Sequence, residues 1–190
     1  MYSDKPTVNI LTSLMVDKGI RRVIVCPGSR NIPLIHNFSE CPYIDCYPVT
    51  DERSAGFYAI SMSLATAEPV AICVTSGSAI LNTAPAIAEA YYRCLPIVVI
   101  SADRPIERID RLDGQTLRQN NILSNIVKQQ TDIPDFTSDD NIGLDFSSLS
   151  MNIALNECIG GECGPVHINM QLKEPLFNFS TNSLPTNKNI

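Results

Sequence analysis

Val70-Ala71-Ile72-Cys73-Val74-Thr75-Ser76-Gly77-Ser78, then an Ala- and Ile-rich stretch to Tyr92, then Ile97-Val98-Val99-Ile100: the fold is decided between residues 70 and 100. The first run, Val70 to Thr75, is short, apolar and rich in β-branched residues, and small residues close it, which marks a strand buried on both faces. Ser78 to Tyr92 is too long and too Ala-rich for a strand and reads as a helix. Ile97 to Ile100 is a second buried strand. A strand, a helix of this length and another strand make a βαβ unit, which requires the two strands to be parallel.

The same rhythm extends in both directions. Thr7 to Lys18 carries Val8, Leu11 and Met15 on one helical face and meets Gly19 where a C-cap belongs. Arg22 to Cys26 is a strand that stops at Pro27-Gly28, followed by a helix near Ile32 to Phe38, a strand near Ile44 to Val49 and a helix from Glu52 to Thr66. Towards the carboxyl end, Asp103 to Asp145 is polar and irregular, with Asp135 to Asn141 as the best loop, before a helix at Ser147 to Cys158 and a strand at Val166 to Met170. No internal repeat interrupts the pattern. The expected fold is a three-layer, doubly wound α/β domain over residues 1–177, with a mainly parallel sheet and helices on both faces. Residues 178–190, rich in Asn, Ser, Thr and Pro, are expected to be a polar tail that starts a linker.

The chain has 190 residues, 44% of them hydrophobic, enough for one sizeable core. Its net charge of -6 and pI near 4.8 provide no basic surface for nucleic acid or anionic lipid, so neither partner is expected. Met1 to Thr7 is short and polar, and no run approaches a membrane span, which suits a cytoplasmic protein. Seven cysteines, Cys26, Cys41, Cys46, Cys73, Cys94, Cys158 and Cys163, form no C-x-x-C pair and read as small hydrophobes kept reduced. Cys158 and Cys163 flank Gly160-Gly161, but two thiols without a histidine pair make a poor zinc site, and no metal ligand is assigned.

In doubly wound sheets ligands collect at the carboxyl ends of the strands. Four such positions carry distinctive residues. Pro27-Gly28-Ser29-Arg30 offers close backbone approach and a planar cation, or simply a turn and a cap. Thr50-Asp51-Glu52-Arg53 opens a helix, where an acidic residue serves equally as N-cap or dipole partner. Thr75-Ser76-Gly77-Ser78 presents backbone N–H groups but lacks the Walker lysine and the hydrolase elbow. Ser101-Ala102-Asp103-Arg104-Pro105 ends the fourth strand and reads equally as surface salt-bridge residues. Only His36 and His167 could serve as an imidazole base, and His167 lies in a buried strand, which argues against a Ser-His-Asp triad.

Together these stretches resemble the 2-succinyl-5-enolpyruvyl-6-hydroxy-3-cyclohexene-1-carboxylate synthase family, in its amino-terminal, pyrimidine-binding domain. The resemblance rests on Pro27-Gly28-Ser29-Arg30, on Thr50 to Phe57, and on Thr75-Ser76-Gly77-Ser78 with Asn82 and Pro85-Ala86. It also rests on Ala102-Asp103-Arg104-Pro105 with Gln115-Thr116, and on Gly164 to Asn169 with Glu174-Pro175-Leu176. It covers about residues 7 to 177.

The resemblance implies a thiamine diphosphate- and magnesium-dependent carboligase of menaquinone biosynthesis, which decarboxylates 2-oxoglutarate and adds the product to isochorismate. Glu52 matches the cofactor-activating glutamate. A carboxyl group bonded to the pyrimidine ring nitrogen favours the tautomer whose exocyclic nitrogen removes the thiazolium proton. Pro27, Thr75, Ser76, Gly77 and Asn82 would sit near the pyrimidine. Ser29, Arg30, Arg104 and Gln115 would line the substrate side, the arginines facing carboxylates. The Gly-Asp-Gly type motif that holds magnesium and diphosphate in such enzymes is absent from these residues, so the domain alone is expected to be inactive. A homodimer or homotetramer with shared active sites is implied. A non-catalytic binding or dimerisation module of the same fold, or a domain of an acetolactate-synthase-like decarboxylase, are the alternatives.

Overall fold

The computed structural model describes residues 1–186, and residues 187–190 of the polar tail lie outside the described residues. Helices and strands alternate as α1 (Pro6–Asp17), β1 (Arg22–Val25), α2 (Ile32–Glu40), β2 (Asp45–Pro48), α3 (Glu52–Thr66), β3 (Val70–Val74), α4 (Ala79–Tyr92) and β4 (Ile97–Asp103). A 3-10 turn (Ile106–Arg108), β5 (Gln129–Ile133), α5 (Asn141–Ile159) and β6 (Val166–Gln171) complete the described elements.

The six strands form one sheet in the order β2-β1-β3-β4-β6-β5, and all five pairings are parallel. Alternate side chains of each inner strand enter two separate apolar layers. Val98, Ile100, Ile168 and Met170 face α1, α2 and α5 through Leu11, Leu14, Phe38, Met151 and Leu155. Ile72, Val74, Ile97 and Val99 face α3 and α4 through Ala59, Ile60, Ile80 and Ile87. This is the expected three-layer α/β arrangement.

Three boundaries differ from the sequence reading. β4 runs on through Asp103, so Ser101-Ala102-Asp103 belongs to the strand rather than to the loop after it. A strand, β5, lies inside the stretch read as irregular. α5 begins at Asn141, six residues early, where the Asp140 side chain accepts from the Gly143 amide and caps the helix.

The polar segment after Phe177 lies along the domain. Tyr2 and Thr181 form an antiparallel bridge. The Phe179 ring stacks on His36 at 3.7 Å between centroids, and the Ser13 hydroxyl donates to the Pro185 carbonyl.

Candidate active site

The strand order reverses direction twice, once where β1 and β3 lie side by side and once where β4 and β6 do. Such points open crevices at the carboxyl ends of the strands. At the first, the loop after β1 meets the loop after β3. A Cβ on Gly28 would fall 2.3 Å from the Thr75 Cβ, so only glycine lets these loops touch. Thr75, Ser76 and Gly77 are buried, while Pro27 and Ser29 are exposed at the rim. Gly77 has φ +83°, and a Cβ there would lie 3.1 Å from the Gln115 carbonyl oxygen. Its N–H donates to Gln119 Oε1 at 2.8 Å.

Glu52 opens α3 beside this crevice. Asp51, not Glu52, caps the helix by accepting from the Ser54 amide at 2.7 Å. The half-buried Glu52 carboxylate accepts from Asn82 Nδ2 at 3.2 Å. The cause is helix packing: a Cβ on Gly56 would lie 2.6 Å from the Ala86 Cβ, so α3 and α4 pack against each other without a side chain between them. Glu52 and Asn82 each stand one turn upstream of that contact, which makes them neighbours. The Cys26 thiol is pushed up to about 12, first by burial and then by the Glu52 and Asp51 charges, so Glu52 faces the β1 loop.

At the second reversal, Arg30 and Arg104 line a cleft of about 520 Å³ together with Arg108, Lys173 and Glu174. Arg30 is only 7% exposed; it donates through Nη1 to the Leu172 carbonyl at 2.9 Å and pairs through Nη2 with Glu174 at 3.0 Å. Burial, and then the Arg104 charge, lower its hold on its proton, as two guanidinium groups facing one cleft must. Arg104 aims Nε and Nη2 at the Gly114 carbonyl, at 3.1 and 2.8 Å.

The residues named from sequence therefore fall into two adjoining groups. Pro27, Glu52, Thr75, Ser76, Gly77 and Asn82 surround the β1/β3 crevice, while Arg30 and Arg104 face the second cleft. Ser29 sits on the loop joining them, and Gln115 has its backbone against Gly77 with φ +54°. Sequence reading did not name Gln119, and it quoted Glu174 and Asp103 only within matching stretches, without a role. Asp103 is pushed up to about 6 by burial, against the pull of hydrogen bonds from Asn169 and the Arg104 amide.

His167 is fully buried and meets Ser101 Oγ at 2.7 Å in the sheet, away from Glu52. Among the described residues, no cluster of three or more His, Cys, Asp or Glu side chains could hold a metal, and no helix is long and apolar enough to cross a membrane.

The Glu52 carboxylate has one oxygen fixed by Asn82 and the other without a hydrogen-bond partner among the described residues, and the Thr75–Gly77 backbone at the end of β3 is buried. The family model for the thiamine pyrophosphate enzyme N-terminal TPP binding domain matches residues 7–131.

Similar curated proteins include three named 2-succinyl-5-enolpyruvyl-6-hydroxy-3-cyclohexene-1-carboxylate synthase. One, from Bacteroides fragilis, is 47% identical over 185 residues, covering 97% of this chain and 33% of the relative. One from Porphyromonas gingivalis is 44% identical over 181 residues, covering 95% and 31%. One from Flavobacterium psychrophilum is 38% identical over 177 residues, covering 93% and 31%. The chain spans about a third of the length of these relatives. With the Glu52 crevice at the β1/β3 reversal and the match across residues 7–131, the chain belongs to the family of thiamine pyrophosphate enzyme N-terminal TPP-binding domains.

Proposed function

We propose that residues 1–177 are the pyrimidine-binding domain of a thiamine diphosphate- and magnesium-dependent carboligase that decarboxylates 2-oxoglutarate and adds the four-carbon unit to isochorismate, in menaquinone biosynthesis. The observations that carry this reading are the Asn82-held Glu52 at the start of α3 and a cleft lined by both Arg30 and Arg104, whose Gly114 wall leads through Gln115 to Gly77. The cofactor, when bound, supplies the carbanion chemistry that decarboxylation and carbon–carbon bond formation require.

Glu52 offers its second oxygen to the pyrimidine ring nitrogen, while Asn82 fixes its rotamer. Thr75, Ser76 and Gly77 form the wall of the ring pocket, with Pro27 at its rim. Arg30 and Arg104 pair with substrate carboxylates, and Ser29 and Gln115 complete the same side. Two clustered guanidinium groups suit multiply carboxylated substrates better than pyruvate, which favours the synthase over an acetolactate-synthase-like enzyme.

Magnesium and the diphosphate are held by residues outside these 190, so the isolated domain does not turn over. A homodimer or homotetramer shares the site between subunits, a reading supported by the exposed Phe57, Tyr58 and Leu81 on the α3–α4 face next to Glu52 and Asn82.

The test is the full-length protein assayed with 2-oxoglutarate, isochorismate, thiamine diphosphate and magnesium, beside its Glu52→Gln variant. We expect product from the parent and a loss in kcat of about 10²–10⁴-fold in the variant. Turnover of pyruvate but not 2-oxoglutarate, or full activity in Glu52→Gln, would overturn the reading.

A further inference from the structure

We infer that Gln119 is a positioning residue that fixes the substrate arginine, Arg104, relative to the cofactor loop at Gly77. Gln119 is 1% exposed and uses its whole amide. Its oxygen accepts from the Gly77 N–H at 2.8 Å, and its nitrogen donates to the Ala102 carbonyl at 3.1 Å and to Asn169 Oδ1 at 2.8 Å. Asn169, equally buried, donates to Asp103 Oδ2 at 2.9 Å and to Asp132 Oδ1 at 2.8 Å. Asp103 Oδ1 in turn accepts the Arg104 backbone N–H at 2.7 Å.

The path then closes on itself. The Arg104 guanidinium reaches the Gly114 carbonyl, and the next residue, Gln115, has its backbone beneath Gly77. Five hydrogen bonds and the close approach of Gln115 to Gly77 thus form a ring that contains a cofactor-loop glycine, a substrate arginine and the Gln115 backbone. Leu123 and Val127, further along the same segment, join the apolar layer. At Gln119 the segment instead meets the sheet through fully satisfied polar groups, whose directionality fixes distance and angle where apolar packing fixes only volume. The ring ends on ligand-facing groups at both sides, which a purely structural network has no reason to do.

This inference rests on the function proposed above, and its test separates the two. In the full-length protein, Gln119→Met keeps the volume and removes every bond, while Gln119→Glu keeps the acceptor for Gly77 and removes the donor towards Asn169. We expect Gln119→Met to raise both the KM for 2-oxoglutarate and the Kd for thiamine diphosphate about tenfold each. Gln119→Glu should raise the KM similarly and leave the Kd within about twofold.

Changes confined to the melting temperature, or parallel shifts of KM and Kd in both variants, would overturn the positioning role. If Gln119→Met does not fold, the split between KM and Kd in Gln119→Glu decides alone. A parent protein without 2-oxoglutarate turnover would sink the function reading, and the Kd contrast between the two variants would still test the link to Gly77.

Discussion

His167 has one proton and one acceptor for it. Ser101 donates its hydroxyl to Asn169 Oδ1 at 2.7 Å, so Ser101 Oγ accepts from His167 Nε2, and the buried Nδ1 has no hydrogen-bond partner among the described residues. Burial pushes this imidazole down to about 3. The unfolded chain protonates it near 6.5, so the neutral ring contributes stability that is fully present above about pH 6.5 and is lost as pH falls towards 3. Its share of the slope is at most about 1.4 kcal/mol per pH unit. Asp103, raised to about 6, acts in the opposite sense, its contribution being present below about pH 4 and lost as pH rises through 6. His167→Gln should therefore lose less stability than the parent between pH 6.5 and 5 in urea titrations, and an unchanged slope would show that His167 is not the group titrating. Glu52 and Arg30 drew notice in the sequence because they stand just past the ends of β2 and β1, where they read equally as cap and turn residues, and Asn82 entered only through the resemblance. Gln119 was not legible, since its partners lie 42 and 50 positions away and nothing in its neighbours announces them.

Among the elements, the α3–α4 pair carries the cofactor side. Its contact at Gly56 and Ala86 leaves no room for a methyl group, so Gly56→Ala must move the helices apart. We expect a stability loss of about 1–3 kcal/mol by denaturant unfolding. In the full-length protein the same variant should also weaken thiamine diphosphate binding, because Glu52 and Asn82 ride on the displaced turns. Normal affinity would show that the pair is set by something other than helix spacing. The β5 strand escaped sequence reading for a physical reason. Gln130 and Asp132 sit on the face beneath the segment after Arg104, where the sheet is polar: Asp132 accepts from Asn120 and Asn169. Without apolar alternation, Gln129-Gln130-Thr131-Asp132-Ile133 carries no strand signal. The early start of α5 was obscured differently, by exposed Ile142, Phe146, Leu149 and Ile153, which place apolar residues on the face opposite the core and blur the helical period.

For the whole molecule, the alternation of elements, the parallel sheet and the two-faced core were all readable from β-branched runs separated by helices. The strand order was not, because adjacency between β4 and β6 depends on pairings such as Ile100 with Ile168 that no local pattern encodes. That order has a consequence for truncation. A chain stopped after Gly164 would lack β6, which pairs β4 on one side and β5 on the other. We expect such a chain to lose cooperative unfolding altogether by circular dichroism, whereas one stopped after Phe177 should keep it; a cooperative transition in the shorter chain would show that β1 to β4 form an independent core.

The position of β6 also sets an order in time. Synthesis runs from the amino end, so β5 leaves the ribosome with no neighbour to pair with, and waits until β6, the last described strand to be made, slides between it and β4. Every pairing in the sheet is parallel and none can start as a hairpin, so β2, β1, β3 and β4 can pair as they are made, while β5 joins the sheet only once β6 has followed it.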